Sequence, residues 1–343
     1  MIYSASSISM WQSTGESAGL LKKQLLYLVI GFVAMFISMA VDYQSLRKIV
    51  KPLFVAAVIP LVLVLVPGIS REAGGAKRWL HAFGFNYQPS ELVKIALILY
   101  MADFITRKNR VLKDFWQGFV PPMMVLGFVT LLVLMQPDLG TAISFVVLVF
   151  AMLFISGARL LHLFSSILAA LPFLYVLVFS VPYRRARILA FLNPWLDPKG
   201  SGFQIIQSQI ALGSGGLFGA GLGQGRQKLF YLPAAHTDFI FSIIGEEAGL
   251  IGAAFVILLL IVLIWKTSRI VYLVKEPFGK LICAGVLILI AFSSVVNIGV
   301  SIGSLPTKGL PLPFISYGGS SLIFHMVAIG LLLNVSKQED AAL

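Results

Sequence analysis

The residues in this sequence that are best suited to chemistry are a few carboxylates at the edges of long apolar segments. Asp238 ends a polar stretch and is followed at once by an apolar run that begins at Phe239. A carboxylate at the rim of an apolar region is partly shielded from water, which suits a general base. The position also suits a helix N-cap, formed by Thr237 or Asp238. On residue types alone, capping is the simpler interpretation of Asp238.

Two other acidic positions allow both a structural and a functional interpretation. Glu91 and Lys94 are three residues apart at the start of an apolar block, so they share one face of a helix. A structural ion pair is slightly favoured over a role in shaping a polar cavity. Asp138 lies in a tight turn between two apolar blocks, where capping the next helix is favoured over a substrate or metal role.

Glu246 and Glu247 lie inside the apolar run that follows Asp238, roughly 12 Å further along a helix. Charged residues at membrane depth cost about 2.5–3.5 kcal/mol each on insertion scales, so two adjacent acids imply a role. They are either protonated or hydrogen-bonded between helices, or they belong to a proton pathway. The residue types do not decide between these alternatives.

The composition is that of a membrane protein. Of 343 residues, 58% are hydrophobic and 12% are charged, against about 25% charged in soluble domains. The mean hydropathy is +0.93. Apolar residues fall into blocks long enough to cross a bilayer, at 24–41, 51–67, 90–106, 116–136, 140–157, 162–181, 239–265, 280–303 and 319–335. We therefore predict an all-α polytopic membrane protein with nine visible spans, forming one integral membrane domain over 1–343.

The net charge of +12 follows the positive-inside rule and does not require a nucleic-acid partner. Lysines and arginines cluster near 47–51, 107–113 and 266–280, in alternate connections that we place in the cytoplasm. The segments 68–89, 182–238 and 304–318 are then outside. The N-terminus is also outside, and Met1 to Ser6 look like the end of a further helix that would precede this sequence.

The segment 182–238 is too long for a simple connection. Within it, the apolar stretch from Phe203 to Leu212 is too short to span a bilayer and is followed by glycines. We predict a large extracytoplasmic loop with a short re-entrant or interfacial helix. Irregular backbone at membrane depth must be covered by protein or by a wet cavity, so this loop should fold over the helix bundle.

Cations in the outer segments go against the positive-inside rule, which suggests an anionic partner such as a lipid pyrophosphate or a lipid headgroup. They are Arg71, Lys77, Arg78, Arg184, Arg185, Arg187, Arg226, Lys228 and Lys308. Of two glycine-rich runs, 219–225 and 316–321, the second opens the last apolar block, where free N–H groups could meet an anion. Neither run has the context of a nucleotide loop, and the four histidines lack metal-ligand spacing.

Long motifs extend over nearly the whole chain. They include Asn193–Pro198, Gly202–Gln204, Gln207–Ser208, Gly221–Gly223, Gln227–Lys228, Tyr231–Pro233, His236–Phe241 and Gly245–Glu247, together with Arg78–Trp79, Gln88–Glu91, Gln136–Gly140 and Pro311–Ser320. In these motifs the sequence resembles the SEDS family (RodA, FtsW and SpoVE), and most of all its FtsW/SpoVE branch. Family members usually have ten spans, and they often have Glu where this chain has Ala234.

The resemblance implies a peptidoglycan glycosyltransferase that polymerises lipid II on the outer face of the bacterial cytoplasmic membrane and releases undecaprenyl pyrophosphate. It implies that Asp238 is the catalytic general base, which reverses the capping interpretation, and that the displacement inverts the donor sugar. The residues expected to bind substrate or support the site are Glu91, Lys94, Asp138, Arg78, Gln88, Ser90, Arg226, Lys228, His236, Thr237, Lys308, Ser316, Gly318, Gly319 and Ser320, while the role of the buried acids Glu246 and Glu247 stays open.

Mg²⁺ or Mn²⁺ is a candidate cofactor at the pyrophosphate, and no organic cofactor is expected. The expected partners are membrane lipid and, by resemblance, a class B penicillin-binding protein that acts as a transpeptidase. Two alternatives remain open at this point. One is a lipid II flippase or transporter that uses Glu246, Glu247 and the Glu91–Lys94 pair as a polar path. The other is a non-enzymatic scaffold of the cell-division machinery.

Overall fold

The computed structural model describes residues 1–340 except 69, 74–75, 83–84 and 229–231, and it leaves out the side chains of residues 8–10, 12–14, 71–77, 82, 85 and 339–340. Within these limits the chain is mainly helical. The described helices are α1 (Ile2–Thr14), α2 (Gly19–Ala40), α3 (Tyr43–Leu63), α4 (Pro89–Lys108), α5 (Val120–Leu134), α6 (Leu139–Ile155), α7 (Leu160–Phe179), α8 (Pro182–Leu192), α9 (Phe203–Ser214), α10 (Ile240–Leu273), α11 (Pro277–Ser301) and α12 (Gly319–Asp340).

All nine apolar blocks predicted from the sequence lie in helices, namely α2 to α7 and α10 to α12. Six segments of the described chain are long and apolar enough to cross a membrane by length and composition: Gly19–Ala40, Phe115–Leu134, Leu160–Phe179, Ile240–Leu273, Pro277–Ser301 and Gly319–Gln338. The second of them begins with a π-helical turn, Phe115–Phe119, ahead of α5. Helix α6 is shorter, and α3 and α4 carry several charged residues.

The chain divides into two compact units. Unit 1 comprises Met1–Leu26, Leu168–Leu263 and Phe292–Gly318, and unit 2 comprises Tyr27–Ile167, Ile264–Ala291 and Gly319–Leu343. The core of unit 2 lies around α4, which is buried from Val93 to Ile105 except at Tyr100 and packs against α3, α6 and α12.

An apolar cluster in unit 1 underlies the turn that carries Asp238. It contains Phe239 and Ile243 around the start of α10, Val296 and Val300 of α11, and Leu310. Burial of these side chains, each exposed by 7% or less, stabilises the irregular segments on either side of the carboxylate. The cluster therefore packs beneath the turn at Asp238, which itself has no regular secondary structure.

The outer segment 68–89 contains a small antiparallel sheet that was not predicted from the sequence. It has the order β1 (Ser70–Ala73), β2 (Ala76–Ala82) and β3 (Phe85–Tyr87), with Ser70 opposite Leu80 and Leu80 opposite Tyr87. The strands pair the backbone of a connection that would otherwise need water or other partners. Helix α8 was not predicted either. Met1 to Ser6 were expected to be the end of a helix, and α1 extends from Ile2 to Thr14. The short helix predicted at 203–212 is confirmed as α9.

Helix α10 is broken at Gly249, whose φ of 67° and ψ of −166° are not helical. Four backbone hydrogen bonds of 2.9–3.2 Å join residues 216–221 to residues 246–251 across this break. The loop thus satisfies N–H and C=O groups that the helix leaves unpaired. A Cβ at position 249 would lie 2.3 Å from the backbone nitrogen of Gly219, so the close approach also requires glycine.

We predict that Gly249→Ala destabilises the protein by about 1–3 kcal/mol, because alanine is strained at this backbone conformation and collides with Gly219. Thermal unfolding followed by size-exclusion chromatography of detergent-solubilised protein measures the effect. Gly127→Ala is the matched control, since Gly127 lies in α5 with nothing within 4 Å of its added Cβ. Equal thermal stability of the two variants would contradict the importance of the break.

Candidate active site

Asp238 lies in a tight turn of unit 1, two residues before α10. The N–H groups of Thr237, Asp238 and Phe239 all donate to the carbonyl of Ala234, at 3.1, 3.1 and 3.4 Å. Ala234 has a positive φ of 57°, which tightens this turn. Asp238 itself is partly exposed to solvent, so its carboxylate is accessible at the edge of the apolar cluster.

Gly309 lies beside the carboxylate of Asp238. A Cβ added to Gly309 would be 3.4 Å from Oδ2 of Asp238. A side chain at position 309 would therefore contact this carboxylate, whereas glycine does not. The loop that contains Lys308 and Gly309 therefore forms one wall of the space next to Asp238.

Three consecutive carbonyls of the Asp238 turn are held by residues of the segment 297–317. The backbone N–H of Tyr317 donates to His236 O at 2.9 Å, and the hydroxyl of Ser316 donates to Thr237 O at 2.6 Å. The side-chain amide of Asn297 donates to Asp238 O at 3.0 Å. The main chain of residues 236–238 is thereby fixed at every carbonyl.

Asn297 was not identified from the sequence. The signal that could have found it is a lone asparagine within the apolar block 280–303, where a buried amide needs hydrogen-bond partners.

Two titratable side chains near this turn are held toward their neutral forms. Burial lowers the pKa of His236, whose ring packs edge-on against Tyr317 at 5.8 Å between centroids. Burial also lowers the pKa of Lys308. In the described part of the chain, no carboxylate lies within ion-pair distance of the Lys308 amine. Lys308 is therefore a partly buried cation next to Gly309.

The guanidinium of Arg187 steadies the start of the loop that contains Lys308. It donates to the carbonyl of Thr307 at 3.2 Å and lies 4.5 Å from the ring centroid of Tyr183. Arg187 was noted in the sequence as one of the outer cations, without an individual role. Its contacts attach α8 to this loop.

Glu246 and Glu247 anchor the glycine-rich loop of unit 1. Glu246 accepts hydrogen bonds from the backbone N–H groups of Arg226 and Gln227, at 2.6 and 3.1 Å. Glu247 forms a 2.7 Å ion pair with Lys228 and accepts the N–H of Gly223 at 3.1 Å. The acids are thus hydrogen-bonded, as one of the alternatives from the sequence held. Most of their partners lie in the loop, and the hydroxyl of Ser4 in α1 also donates to Glu247, so one of these bonds joins two helices.

The two cations of this loop, Arg226 and Lys228, differ in how far their side chains are exposed. The Lys228 amine is buried between Glu247 and Ser4, at 2.7 Å from each. The side chain of Arg226 is exposed. Of the two, only Arg226 has a side chain that solvent and ligands can reach.

In unit 2, Glu91 and Lys94 form the ion pair predicted from their spacing. Their charged atoms are 2.7 Å apart and both side chains are less than 5% exposed. Pairing makes two buried charges tolerable in the interior of this unit. The ion pair predicted from the spacing of Glu91 and Lys94 is confirmed.

Asp138 caps α6, as expected. Its carboxylate accepts the N–H of Thr141 at 3.1 Å and the Thr141 hydroxyl at 2.9 Å. Arg78 donates to the carbonyls of Gln136 and Pro137 and lies 3.6 Å from Asp138. The guanidinium of Arg78 therefore holds the turn between α5 and α6.

The remaining predicted site residues are Gln88, Ser90, Gly319 and Ser320 of unit 2 and Gly318 of unit 1. The N–H of Gln88 donates to the Ser320 hydroxyl at 3.0 Å, which joins the end of the sheet to this helix. Ser90 is buried in the first turn of α4. A Cβ at Gly319 would lie within 2.6 Å of the ring of Tyr27, so the close packing requires glycine. Gly318, in unit 1, donates its N–H to Gln24 at 3.4 Å.

The described residues do not fit a protein cage for Mg²⁺ or Mn²⁺. They contain no group of three or more His, Cys, Asp or Glu residues that could hold a metal ion. Asp238 supplies one carboxylate, whereas a cage built by the protein needs several oxygen ligands.

The side chains of Arg71 and Lys77 and the motif residue Tyr231 lie outside the described residues.

Sequence comparison places the chain among bacterial cell cycle proteins. The profile of the FtsW/RodA/SpoVE family, described as cell cycle protein, matches residues 1–341. "Probable peptidoglycan glycosyltransferase FtsW" of Geobacter metallireducens is 47% identical over 338 residues, covering 98% of this chain and 90% of the relative. "Stage V sporulation protein E" of Bacillus subtilis is 45% identical, covering 98% of this chain and 92% of the relative.

Solved structures show the same fold. A chain from a study of "Structural coordination of polymerization and crosslinking by a peptidoglycan synthase complex" has a TM-score of 0.80 at 32% identity, covering 98% of this chain and 95% of that one. RodA of Thermus thermophilus has a TM-score of 0.67 at 28% identity, covering 98% and 94%. The chain therefore belongs to the FtsW/RodA/SpoVE family of cell cycle proteins and is a multi-pass glycosyltransferase of the bacterial cytoplasmic membrane.

Proposed function

We propose that the protein polymerises lipid II into glycan strands on the outer face of the membrane, with Asp238 as the general base. The observation that carries this proposal is the Asp238 carboxylate itself. It belongs to a partly exposed residue, lies on a turn fixed at three carbonyls, and is next to Gly309, which follows the partly buried Lys308 in the chain. The peptidoglycan glycosyltransferase name of the relatives supports the substrate class.

In the proposed reaction, Asp238 accepts the proton from the 4-hydroxyl of the acceptor sugar. The oxygen attacks the anomeric carbon of the donor and forms the new glycosidic bond. The bond from that carbon to the pyrophosphate oxygen breaks, and undecaprenyl pyrophosphate leaves with the electron pair. One displacement inverts the donor from an α to a β linkage, and Asp238 then returns its proton to water.

The departing pyrophosphate develops negative charge that nearby cations would stabilise. We assign this role to Lys308, which adjoins Gly309, and to the exposed Arg226 on its anchored loop. Arg78 and Lys228 are less suited because backbone carbonyls or a buried carboxylate already bind them. His236 and Thr237 would shape the turn, and the pairs around Glu91 and Asp138 would keep unit 2 rigid.

The contacts of Glu246 and Glu247 favour an enzyme over a transporter. A polar path needs ionisable groups that a moving substrate or proton can reach. Both carboxylates instead bind backbone N–H groups or Lys228 at 2.6–3.3 Å. By the same family relationship we propose a transpeptidase partner, since a similar structure is described as coordinating polymerization and crosslinking.

We predict that Asp238→Asn lowers glycan polymerisation from lipid II by at least about a hundredfold, because general base catalysis contributes roughly 10²–10⁴-fold. The measurement is polymer formation by the purified full chain, with its transpeptidase present and absent. Asp42→Asn is the control, since Asp42 caps α3 and asparagine also caps well. Polymerisation by D238N at the parent rate, or lipid II transport without polymer, would refute the assignment.

Gly309→Ala should reduce polymerisation by roughly tenfold or more while the protein still folds. Its methyl group would meet Asp238 Oδ2 at 3.4 Å, an ordinary contact that covers the carboxylate without displacing it. Gly213→Ala is the matched control, because nothing lies within 4 Å of its added Cβ. The initial rate per folded protein checks this prediction, and equal rates for the two variants would contradict it.

The charge of Lys308 should set an alkaline limb in the pH–rate profile. Burial lowers the pKa of Lys308, so it loses its positive charge at a lower pH than an exposed lysine does. The rate should then fall as pH rises through this lowered pKa. Lys308→Arg stays charged and should keep its rate to higher pH, whereas Lys308→Met should be slow throughout. Identical alkaline limbs for the parent and K308R would exclude this role.

A further inference from the structure

Asn297 lies in α11 and is 1% exposed to solvent. Its side-chain amide donates two hydrogen bonds, to Asp238 O at 3.0 Å and to Leu310 O at 2.8 Å. One acceptor is the main chain of the proposed base. The other directly follows Gly309, which lies against the base's carboxylate. A single amide thus ties together the two segments on either side of the reactive group.

We propose that Asn297 is a positioning residue that fixes the Asp238 carboxylate relative to the loop at 308–310. This inference rests on the proposed function of Asp238. Asn297 reaches the reaction through Asp238 and does not itself touch substrate. It sets the spacing between the base and the wall of its site, and it stabilises the proton-accepting geometry.

The chemistry of the side chain explains why asparagine suits this position. A primary amide has two N–H donors on one nitrogen, as two carbonyl acceptors require. Asn297 Oδ1 has no hydrogen-bond partner among the described residues. The reverse orientation of the amide would set Oδ1 against two carbonyl oxygens, so the contacts decide the orientation. An aspartate has the same shape but, when ionised, offers no donor.

The backbone of α11 around Asn297 is joined to two other helices by hydrogen bonds of buried serines. The Ser301 hydroxyl donates to Asn297 O at 3.0 Å, and the Ser208 hydroxyl of α9 donates to Ser301 O at 2.7 Å. Ser208 also contacts the Ser242 hydroxyl of α10 at 2.6 Å. The helix that carries Asn297 is therefore attached to α9 and, through Ser208, to α10 by buried hydrogen bonds.

The fold of the turn does not depend on Asn297 alone. The carbonyls of His236 and Thr237 stay bound by Tyr317 and Ser316 when Asn297 is replaced. The apolar cluster that includes Phe239 also remains. Loss of the amide should therefore release the Asp238 carbonyl and shift its side chain while the turn persists. This separates a positioning role from a purely structural one.

The test compares Asn297→Asp and Asn297→Ser with the parent in polymerisation of lipid II by the full chain. The turnover number kcat, the KM for lipid II and the thermal unfolding midpoint are measured for each, with rates expressed per folded protein. We expect kcat to fall at least tenfold in both variants, with KM changed less than threefold. Serine is smaller and carries one donor, so N297S keeps the test valid where N297D folds poorly.

Asn334→Asp is the matched control. Asn334 is 2% exposed, and its amide donates to Met39 O and accepts from the N–H of Tyr43, in unit 2. We expect N334D to lower the unfolding midpoint while kcat per folded protein stays within twofold of the parent. A similar loss of kcat in N334D and N297D would show a structural effect and overturn the proposal. Failure of both Asn297 variants to fold, with N334D folded, would do the same.

Asp238→Asn in the same assay separates this inference from the proposed function. With D238N inactive and both Asn297 variants at the parent kcat, Asp238 remains the base and the positioning role is wrong. With D238N as active as the parent, the proposed function fails first and the role of Asn297 fails with it.

Discussion

The need to satisfy backbone hydrogen bonds in irregular segments governs this structure more than any other constraint. In a water-poor environment each unpaired N–H or C=O group is costly, so non-helical chain persists only where other groups bind it. The turn at residues 236–238 meets this need through Tyr317, Ser316 and Asn297. The position of the Asp238 carboxylate follows from these bonds, because its own main chain is one of the bound groups.

The same constraint accounts for the break in α10. The helical hydrogen-bond pattern of α10 is interrupted at Gly249, which leaves backbone N–H and C=O groups of the helix without helical partners. Residues 216–221 provide these partners. Glu246 and Glu247 extend the attachment to residues 223–228 by binding N–H groups and Lys228. Two buried carboxylates that suggested a proton pathway from the sequence are better explained by the loop that they hold in place.

Regular elements could be predicted from the sequence, and so could local polar contacts. Helical blocks follow from apolar length, the Glu91–Lys94 pair follows from helical spacing, and the Asp138 cap follows from the residue type. The sheet at 70–87 was missed because its strands are only three to seven residues long and lie in a segment interpreted as a loop.

The contacts around Asp238 could not be predicted, because they join residues about 60–80 positions apart through single hydrogen bonds. Residue type marked Asp238 as a candidate, but it favoured capping over catalysis. Asn297 had a detectable signal as an amide in an apolar block, yet its partners are backbone carbonyls that any residue has. Spacing rules for helices and strands contain no information on such contacts.

The loop that ends at Asp238 is attached at 216–228 to α10 and at 236–238 to the segment 297–317. A carboxylate whose main chain is held on both sides loses less conformational freedom when substrate binds, so less binding energy is spent on ordering it. Loops that carry reactive groups are otherwise among the most mobile parts of a fold. In this chain, hydrogen bonds to backbone groups give an irregular segment the rigidity that the proposed general base requires.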